Sequence, residues 1–433
     1  MKNQRTITLL AGVLVVLLLS NLLNHAVSTK NFNVAYPAVV CPPNTTGLTT
    51  AISLTSPKTL VRKTGTSSLA ASPVGFTRYA LAAQSAVIES GQVTPVVWQT
   101  RTGVWAGAVP CSAPIASQWF IGATADITSK GSLNLVNSGL GRAFVDVTVF
   151  TENSQLSPRT IALKANSFQQ IALPTLAPGS KAIAIHLLTR SGRVNGFVVD
   201  ERGKGLRALG GDLVNSTGDP TKSIQIPAIP QQTGKKSTTP HTLRILVPGD
   251  VDARISAEIR STDGTFSPIG IDGKTIPHQK VIEIPMDITM ASGKFALHIS
   301  SDQPILASVF SKTISGGKSD FVWSTSVDDL SEFTLATTGL SPTLVFTGRN
   351  IQVVLGLTYS NGSQKSVKIS AQDIATFVAP PTLRSVHFSQ ISTGTSGAAL
   401  ITSKSGYGYI PLNAGSRLTK SFVPASNIRV LNP

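Results

Sequence analysis

Short stretches in which apolar and polar residues alternate recur along the chain, and they predict β-strands with one face on a core. The run Phe144–Phe150 reads FVDVTVF and places three valines on one face, and Arg254–Arg260 reads RISAEIR and does the same with Ile, Ala and Ile. Each run leads into a polar turn and then a Ser-Pro pair, at Pro158 and at Pro268. The two segments lie about 110 residues apart, roughly the size of a small β-domain.

The correspondence between the two segments extends to their neighbours. LNLVNSG from Leu133 matches LRILVPG from Leu243, IALP from Ile171 matches IEIP from Ile282, and AIHL from Ala184 matches ALHI from Ala296. A weaker third copy is Ile351–Tyr359, and a fainter fourth lies in Leu48–Thr102, with a hairpin over Thr94–Ala106 that turns at Arg101-Thr102-Gly103. Small shifts between otherwise intact strands are what surface loops permit.

These patterns predict an all-β protein built from tandem immunoglobulin-like β-sandwich modules after one N-terminal transmembrane helix. The alternative is a β-propeller in which each unit of about 110 residues supplies a pair of blades, because a single blade repeats at about 40–50 residues. The predicted domains are a signal anchor at 1–30 and β modules at 31–112, 113–229, 241–335 and 336–433. The polar, proline-bounded stretch PQQTGKKSTTP, Pro230–Pro240, is the predicted linker between the second and third modules.

The N-terminus predicts the cellular compartment. Lys2 and Arg5 precede the apolar run Ile7–Leu23, which as a helix would be roughly 25 Å long, close to the hydrocarbon thickness of a bilayer. Positive residues before the run favour an N-inside orientation. We therefore expect a single-pass cell-membrane protein with its C-terminal bulk extracytoplasmic. Cleavage after the small residues Ala26-Val27-Ser28, which would give a secreted protein, is the alternative.

The cysteines agree with export. Cys41 and Cys111, the two cysteines of the chain, both follow the anchor and bracket the first module. Outside the cell disulfides persist, and a bridge that closes a loop of about 70 residues stabilises a fold by roughly 4 kcal/mol in the chain-entropy model. Because the two residues form no CxxC motif and have no neighbouring His, the sequence predicts a structural disulfide rather than a metal or redox pair.

Three motifs carry a resemblance to a known family: VCPP at Val40–Pro43, CSAPIASQWFIG at Cys111–Gly122, and the LNLVN and VDVTVF strands. In these the chain resembles a family of exported actinobacterial proteins of unknown function that are anchored by one N-terminal segment. The resemblance runs over most of the chain. It implies an envelope location and a β-rich ectodomain, and it supplies no catalytic residues.

The search for catalytic, cofactor and metal motifs predicts none. Gly317-Lys318-Ser319 resembles the end of a phosphate-binding loop but lacks the earlier glycine, so we interpret it as a turn. Ser315-Gly316-Gly317-Lys318 has the Ser-x-x-Lys spacing of penicillin-binding enzymes, but two glycines oppose the helix which that motif needs. His186 and His298 occupy equivalent strand positions, which suggests either a duplicated site or, as we prefer, an inherited structural position.

Charge is the one global property with functional weight. The chain has 37 basic and 21 acidic residues, a net charge of +16. The first module is the most lopsided, and its possible polymer contacts are Lys58, Arg62, Lys63, Arg78 and Arg101, against the single acid Glu89. Aromatic residues make up 6% of the chain and do not interleave with the basic ones, so nucleic acid is not an expected partner. A solvated surface without a partner is the alternative interpretation.

The resulting hypothesis is a non-enzymatic scaffold or binding protein of the cell envelope, which contacts anionic wall polymer or other envelope proteins. One alternative is a glycan or peptide hydrolase, which needs a pocket with a carboxylate pair or a nucleophile and base. Another is a carbohydrate-binding protein, which needs exposed, coplanar aromatics. The candidates for that role are Trp98, Trp105, Trp119 and Trp323.

Overall fold

The all-β fold class is confirmed. A computed structural model describes residues 11–20, 31–89, 91–101, 105–232, 240–288, 290, 293–315 and 317–423. Apart from a helical segment at 11–20 and the one-turn helix Leu173–Leu176, the regular structure of these residues is β-strand. The strands predicted at Phe144–Phe150, Arg254–Arg260 and Ile351–Tyr359 are all present.

The strands divide into four successive groups, with one further strand at each end. The first end strand is β1 (Asn31–Ala35). Group one is β2 (Val39–Cys41), β3 (Thr49–Ser53), β4 (Leu60–Lys63), β5 (Ser72–Pro73), β6 (Arg78–Ala80), β7 (Ala86–Glu89), β8 (Val93–Thr94), β9 (Val96–Arg101) and β10 (Trp105–Pro110). Group two is β11 (Ser117–Ile121), β12 (Ser132–Asn137), β13 (Ala143–Thr151), β14 (Arg159–Leu163), β15 (Ser167–Ala172), β16 (Ile183–Ser191), β17 (Val194–Lys204) and β18 (Arg207–Val214).

The remaining strands complete the chain. Group three is β19 (Thr221–Gln231), β20 (His241–Leu246), β21 (Ala253–Ser261), β22 (Gly264–Phe266), β23 (Thr275–Ile276), β24 (Val281–Met286), β25 (Gly293–Ser315) and β26 (Lys318–Thr325). Group four is β27 (Phe333–Ala336), β28 (Thr343–Thr347), β29 (Ile351–Tyr359), β30 (Gln364–Ala371), β31 (Ile374–Val378), β32 (Leu383–Ser389), β33 (Ser396–Ser403) and β34 (Gly406–Pro411). The last strand is β35 (Thr419–Val423).

Each group forms two antiparallel sheets with the same strand order. In group two the sheets run β11-β16-β13-β14 and β15-β12-β17-β18, that is, 1-6-3-4 and 5-2-7-8 when the strands are numbered within the group. Groups one and four repeat this order once the extra strand β8 is set aside. In group three the short strand β23, which pairs with β21, is additional to this order, and the long strand β25 takes both positions 6 and 7. β25 pairs with β19 and β21 in its first half and with β20 and β26 in its second.

This order differs from the predicted immunoglobulin-like one. Strand 2 pairs with 5 and strand 3 with 6, as in an immunoglobulin sandwich, but strand 1 joins strand 6 and strand 7 joins strand 2. The immunoglobulin-like assignment is therefore not confirmed. The residues of the predicted linker from 233 to 239 lie outside the described residues, and β19, which precedes them, pairs with β25 beyond them.

The four groups surround a common axis. The last strands of the groups, β10, β18, β26 and β34, are the axial strands, and each of them contacts two of the others in a closed cycle. Between groups, the outer face of one sheet packs on the next group, as where Trp119 and Ile121 of β11 meet Leu246 of β20 and Leu306 of β25. The arrangement of the sheets around an axis resembles the propeller alternative. The pairing of two sheets within each group resembles the sandwich prediction.

Group four closes against group one. The short strand β8 pairs in parallel with β27, and Thr338 Oγ1 donates a 2.6 Å hydrogen bond to the carbonyl of Leu54. The backbone N–H of Gly415 bonds Thr94 Oγ1 at 2.8 Å. The predicted disulfide is also present, and Cys41 and Cys111 join the first strand of group one to the residue after its last strand.

Glycines permit the close approach of the axial strands. A Cβ at Gly211 would lie 1.7 Å from Nε1 of Trp105, and a Cβ at Gly406 would lie 2.2 Å from Oδ2 of Asp320. Neither distance is possible for a real side chain, so β18 and β34 can reach their neighbours only because these positions carry no Cβ. The Gly-Gly pair in β18 and the Gly-Tyr-Gly sequence in β34 thus have a packing role.

Buried polar groups then join the axial strands. Asn215, directly after β18, donates from Nδ2 to the carbonyls of Ala108 (3.1 Å) and Tyr409 (2.8 Å). The hydroxyl of Tyr409 donates to the carbonyl of Thr325 at 2.8 Å, and Asp212 Oδ2 accepts from the backbone N–H of Trp323 at 2.7 Å. These bonds connect all four axial strands, and each satisfies a backbone group that water cannot reach.

The two chain termini form one unit, and Ala38–Ser416 form a second unit that is compact by itself. In the terminal unit β1 and β35 pair antiparallel. The described part of the predicted anchor, residues 11–20, is helical with exposed apolar side chains. The rest of the predicted apolar run lies outside the described residues. Within the described part, no helix combines the length and the apolar character needed to cross a membrane.

The axial packing makes a testable prediction. Replacing Gly211 with alanine forces a methyl group into the indole of Trp105, which is itself buried, so the free energy of unfolding should fall by about 1–3 kcal/mol or more. The matched control is Gly249→Ala, because no heavy atom lies within 4 Å of a Cβ there. Urea denaturation measures both variants. Equal stability of the two variants would contradict the axial arrangement.

Candidate functional site

A cavity whose lining includes four basic side chains and one acidic side chain lies beside the axis. It has a volume of about 560 Å³ and opens between the β17–β18 hairpin of group two and the β25–β26 hairpin of group three. Its lining combines cations, aromatic rings and hydroxyl groups: Thr128, Arg202, Arg207, Ala208, Leu209, Phe310, Lys312, Gly317, Lys318, Ser319, Asp320 and Phe321.

Local sequence places the cations of the cavity. Gly205 and Gly317 adopt positive φ angles of 57° and 76° in the tight turns of the two hairpins. The turns set Arg207 and Lys318 at the starts of β18 and β26, at the mouth of the cavity. In β25, Phe310 and Lys312 lie two residues apart and therefore share one face of the strand.

Arg202 is held rigidly in the wall of this cavity. Its Nη2 contacts Asp200 Oδ2 at 2.8 Å and its Nε lies 3.2 Å from both carboxylate oxygens. Its guanidinium lies 4.8 Å from the ring centroid of Phe310 and 4.7 Å from that of Phe321. An arginine that is paired with a carboxylate and packed between two aromatic rings has little freedom, so the wall is preorganised.

The three other cations of the lining are free to bind a ligand. Arg207, Lys312 and Lys318 are exposed, and none of their charged groups forms an ion pair within the described part of the chain. Nearby acids already have partners: Asp126 accepts from Thr128, and Glu201 pairs with Arg101 at 2.8 Å. The cavity therefore carries an uncompensated positive charge.

Acidic side chains lie behind the cavity, toward the axis. Asp320 Oδ1 accepts from the backbone N–H of Gly211 at 3.0 Å, and burial raises the pKa of Asp320 to about 7, against backbone hydrogen bonds that lower it. Burial also raises the pKa of Asp212 well above its usual value. Both carboxyls therefore keep their protons to a higher pH than an exposed carboxyl does, which lessens the negative charge buried at the axis.

The cation cluster predicted from the sequence does not form one site. Arg62 bonds Asn166 and donates to the carbonyl of Ser138 at 2.8 Å, and Arg101 pairs with Glu201, so both arginines contact group two. Arg78 instead donates to the carbonyl of Gly339 in group four at 2.8 Å. Lys58 and Lys63 are exposed. Three of the five residues that were predicted to contact polymer thus bond the first group to another group of the fold.

A histidine recurs at one strand position. His186, His298 and His387 lie directly opposite the first strand of their groups, facing Trp119, Gln225 and Thr334. The corresponding pair in group one is Val40 and Val87. Among the described residues no group of three metal-ligating side chains occurs; an inherited structural position stays our prediction for the recurrent histidine.

The nearest approach to a catalytic set is at His186. Ser117 Oγ lies 3.1 Å from His186 Nε2 and donates to Asp219 Oδ1 at 3.0 Å. In a catalytic triad the imidazole lies between the hydroxyl and the carboxylate, whereas here the hydroxyl lies between the other two. The carboxylate therefore does not hydrogen-bond the imidazole directly; burial, the larger effect, lowers the pKa of His186, while the charge of the carboxylate raises it. The rings of Trp119 and His186 are stacked, with their centroids 3.8 Å apart.

The tryptophans do not form a sugar-binding platform. Trp98, Trp105, Trp119 and Trp323 are all buried, with at most 7% of each side chain exposed. Trp323 Nε1 donates to Asp200 Oδ2 at 2.9 Å, and the guanidinium of Arg244 lies 4.6 Å from its ring centroid. These rings fill the interior, so the exposed aromatic surface expected of a carbohydrate-binding protein is not made by them.

A comparison with known protein families matches the part of the chain that forms the cavity. The sequence profile of the family of unknown function DUF5719 matches residues 64–380. The chain belongs to DUF5719. The match includes every residue that lines the cavity and three of the axial strands, β10, β18 and β26. No curated protein matches the chain. Membership of a family of unknown function is thus confirmed, while export and anchoring of this DUF5719 protein stay predictions.

Sequence reasoning missed the cavity residues of this DUF5719 chain. Of the predicted turn Gly317-Lys318-Ser319, Gly317 lies in a turn, whereas Lys318 and Ser319 begin β26, and all three residues line the cavity. A local signal existed in ERGKGLR, Glu201–Arg207, which places three cations in one short hairpin. Lys312 and Phe310 come from another group, and only the axial arrangement brings the two hairpins together.

The pKa of Asp320 makes a prediction for stability. Below about pH 7 the folded carboxyl keeps its proton, while the unfolded one loses it above about pH 4, so stability falls as pH rises through that window. Asp320→Asn removes the titration. Its stability relative to the unchanged chain should therefore rise by up to about 1.4 kcal/mol per pH unit between about pH 4 and 7 and then level off.

Urea denaturation at a series of pH values measures this difference. Ser319→Asn, at an exposed and non-titrating neighbour, is the control and should show a difference from the unchanged chain that does not vary with pH. A difference for Asp320→Asn that is also constant with pH would show that the carboxyl is not buried as described.

Proposed function

We propose that this chain is a non-enzymatic binding protein of the cell envelope that holds anionic groups of wall polymer at its basic cavity. The observation that carries the proposal is the set Arg207, Lys312 and Lys318, which line one cavity without ion-pair partners among the described residues. Arginine and lysine around a concave site attract and hold phosphate or carboxylate groups. Arg202, which is held by Asp200 and by the rings of Phe310 and Phe321, forms a rigid part of the cavity wall.

The envelope location belongs to the same proposal. It is supported by the apolar run Ile7–Leu23 behind two positive residues and by the disulfide Cys41–Cys111, a bond typical of proteins outside the cytosol. In this proposal the N-terminal segment anchors the chain, and the four strand groups are tandem β modules presented outside the membrane. The compact packing of the groups suits a rigid scaffold better than a flexible string of domains.

A non-enzymatic role is supported by the chemistry of the site. Phe310, Phe321, Leu209 and the basic side chains offer binding surface, while the one carboxyl of the lining, Asp320, accepts from the backbone N–H of Gly211. The carboxyl that its charge acts on, Asp212, is fully buried and does not line the cavity. Hydrolysis of a glycan needs two carboxyl groups flanking the bond that breaks. Binding of an anion needs only the cations that are present.

Anion binding is testable with matched charge variants. The purified full-length chain in detergent is titrated with sodium polyphosphate, with neutral dextran as the comparison polymer. Arg207→Gln with Lys318→Gln should weaken polyphosphate binding about tenfold at low salt, equivalent to about 1.4 kcal/mol, and should reduce the salt dependence of binding.

Lys58→Gln with Lys63→Gln is the control, because it removes the same charge from exposed residues of the first group. It should leave the affinity nearly unchanged. If the control pair weakens binding and the cavity pair does not, the cavity is not the binding site and the cluster predicted from the sequence is favoured instead.

A further inference from the structure

Three large apolar side chains stand exposed around the mouth of the basic cavity. Ile127 is 100% exposed, Leu206 is 107% exposed and Ile314 is 60% exposed. Removing an isoleucine or leucine side chain from water is favourable in free energy. Three such side chains on the rim of one site therefore leave a substantial free energy available to a partner that covers them.

The three side chains do not line the cavity themselves but lie one or two residues along the chain from residues that do. Ile127 precedes the lining residue Thr128, whose carbonyl accepts from the backbone N–H of Gly203 at 2.8 Å. Leu206 precedes the lining residue Arg207 in the turn of the β17–β18 hairpin. Ile314 lies two residues beyond Lys312 in β25 and so projects from the same strand face toward the hairpin tip.

Cations alternate with these apolar side chains. Lys130 and Lys204 flank the first two on the chain and are exposed, as are Arg207, Lys312 and Lys318. Lys130 Nζ donates to the carbonyl of Gly205 at 3.3 Å, which fixes the loop from 126 to 130 against the turn that carries Leu206. We call this surface the hairpin-tip face: Ile127, Leu206 and Ile314 with the five cations.

The chemistry of this face matches a lipid interface. Apolar side chains at the tips of loops enter the boundary between headgroups and acyl chains, while lysine and arginine beside them bind anionic headgroups. A dissolved polyanion would use the cations and leave Ile127 and Leu206 in water. A second copy of this chain, with its charge of +16, would bring like charges together.

We propose that the hairpin-tip face docks on an anionic lipid bilayer, with headgroup phosphates at the basic cavity and Ile127, Leu206 and Ile314 inserted at the acyl boundary. This inference rests on the anion binding of the proposed function, and it names lipid headgroups rather than wall polymer as the source of the anionic groups. It is separate from the predicted N-terminal anchor, because none of its residues belongs to that segment.

Site-specific fluorescence tests the docking in the full-length chain. Leu206→Cys is labelled with an environment-sensitive dye, and the protein is reconstituted in nanodiscs of phosphatidylcholine alone or with about one third phosphatidylglycerol. The label should move to a drier environment, seen as a blue shift of emission, only with the anionic lipid. Arg207→Gln with Lys318→Gln should abolish the shift. Ile269→Cys, 94% exposed and outside this face, is the control label and should not respond.

A second variant separates the two proposals. Ile127→Ser with Ile314→Ser, in the labelled Leu206→Cys chain, should lose most of the shift and retain polyphosphate binding. No shift on anionic nanodiscs together with intact polyphosphate binding would overturn lipid docking and leave anion binding in place. Loss of both would overturn both. A shift that appears equally in neutral nanodiscs, or that grows with protein concentration alone, would also overturn docking on anionic lipid, the latter result indicating a second copy.

Discussion

The close approach of the four axial strands is the constraint on which the rest of the structure depends. Gly211 faces the indole of Trp105 and Gly406 faces the carboxyl of Asp320, at separations that no side chain could share. Asn215 and Tyr409 then bond the strands to one another through their carbonyls. Without this contact the four groups of sheets would be free to separate, and each would expose an apolar outer face.

The same constraint places the candidate site. Because every axial strand is the second strand of a hairpin, the hairpins of groups two and three come together beside the axis and enclose a cavity that neither group forms alone. Burying acids at the axis is costly, and the raised pKa values of Asp212 and Asp320 reflect that cost. In the cavity lining, Arg207, Lys312 and Lys318 form no ion pair with another described residue. The buried polar groups at the axis thus hold the axial strands together, and the exposed cations of the cavity are available to bind a ligand.

Local patterns predicted a good part of the fold, because strand periodicity and turn chemistry are short-range properties. FVDVTVF and RISAEIR are strands at equivalent positions, and Cys41 pairs with Cys111. The expectation that one face of each strand meets water was less successful: Asp146 and Thr148, on the polar face of β13, are buried. Most of β13 is buried on both faces, whereas the first half of β21 and most of β29 keep the predicted alternation, and no pattern within seven residues encodes that difference. The cavity was missed for the same reason, since Arg207 and Lys312 lie in separate groups.

The central claim is that the axial ring presents one basic and apolar surface, the hairpin-tip face, to its ligand. Hydrogen–deuterium exchange of the full-length chain in neutral and in anionic nanodiscs tests this claim most directly, since it reads every segment without substitutions. The account predicts slower exchange on anionic lipid in residues 126–130, 204–208 and 312–320, with the remainder of residues 38–416 unchanged. Slower exchange in another part of that unit, with these three segments unaffected, would contradict it.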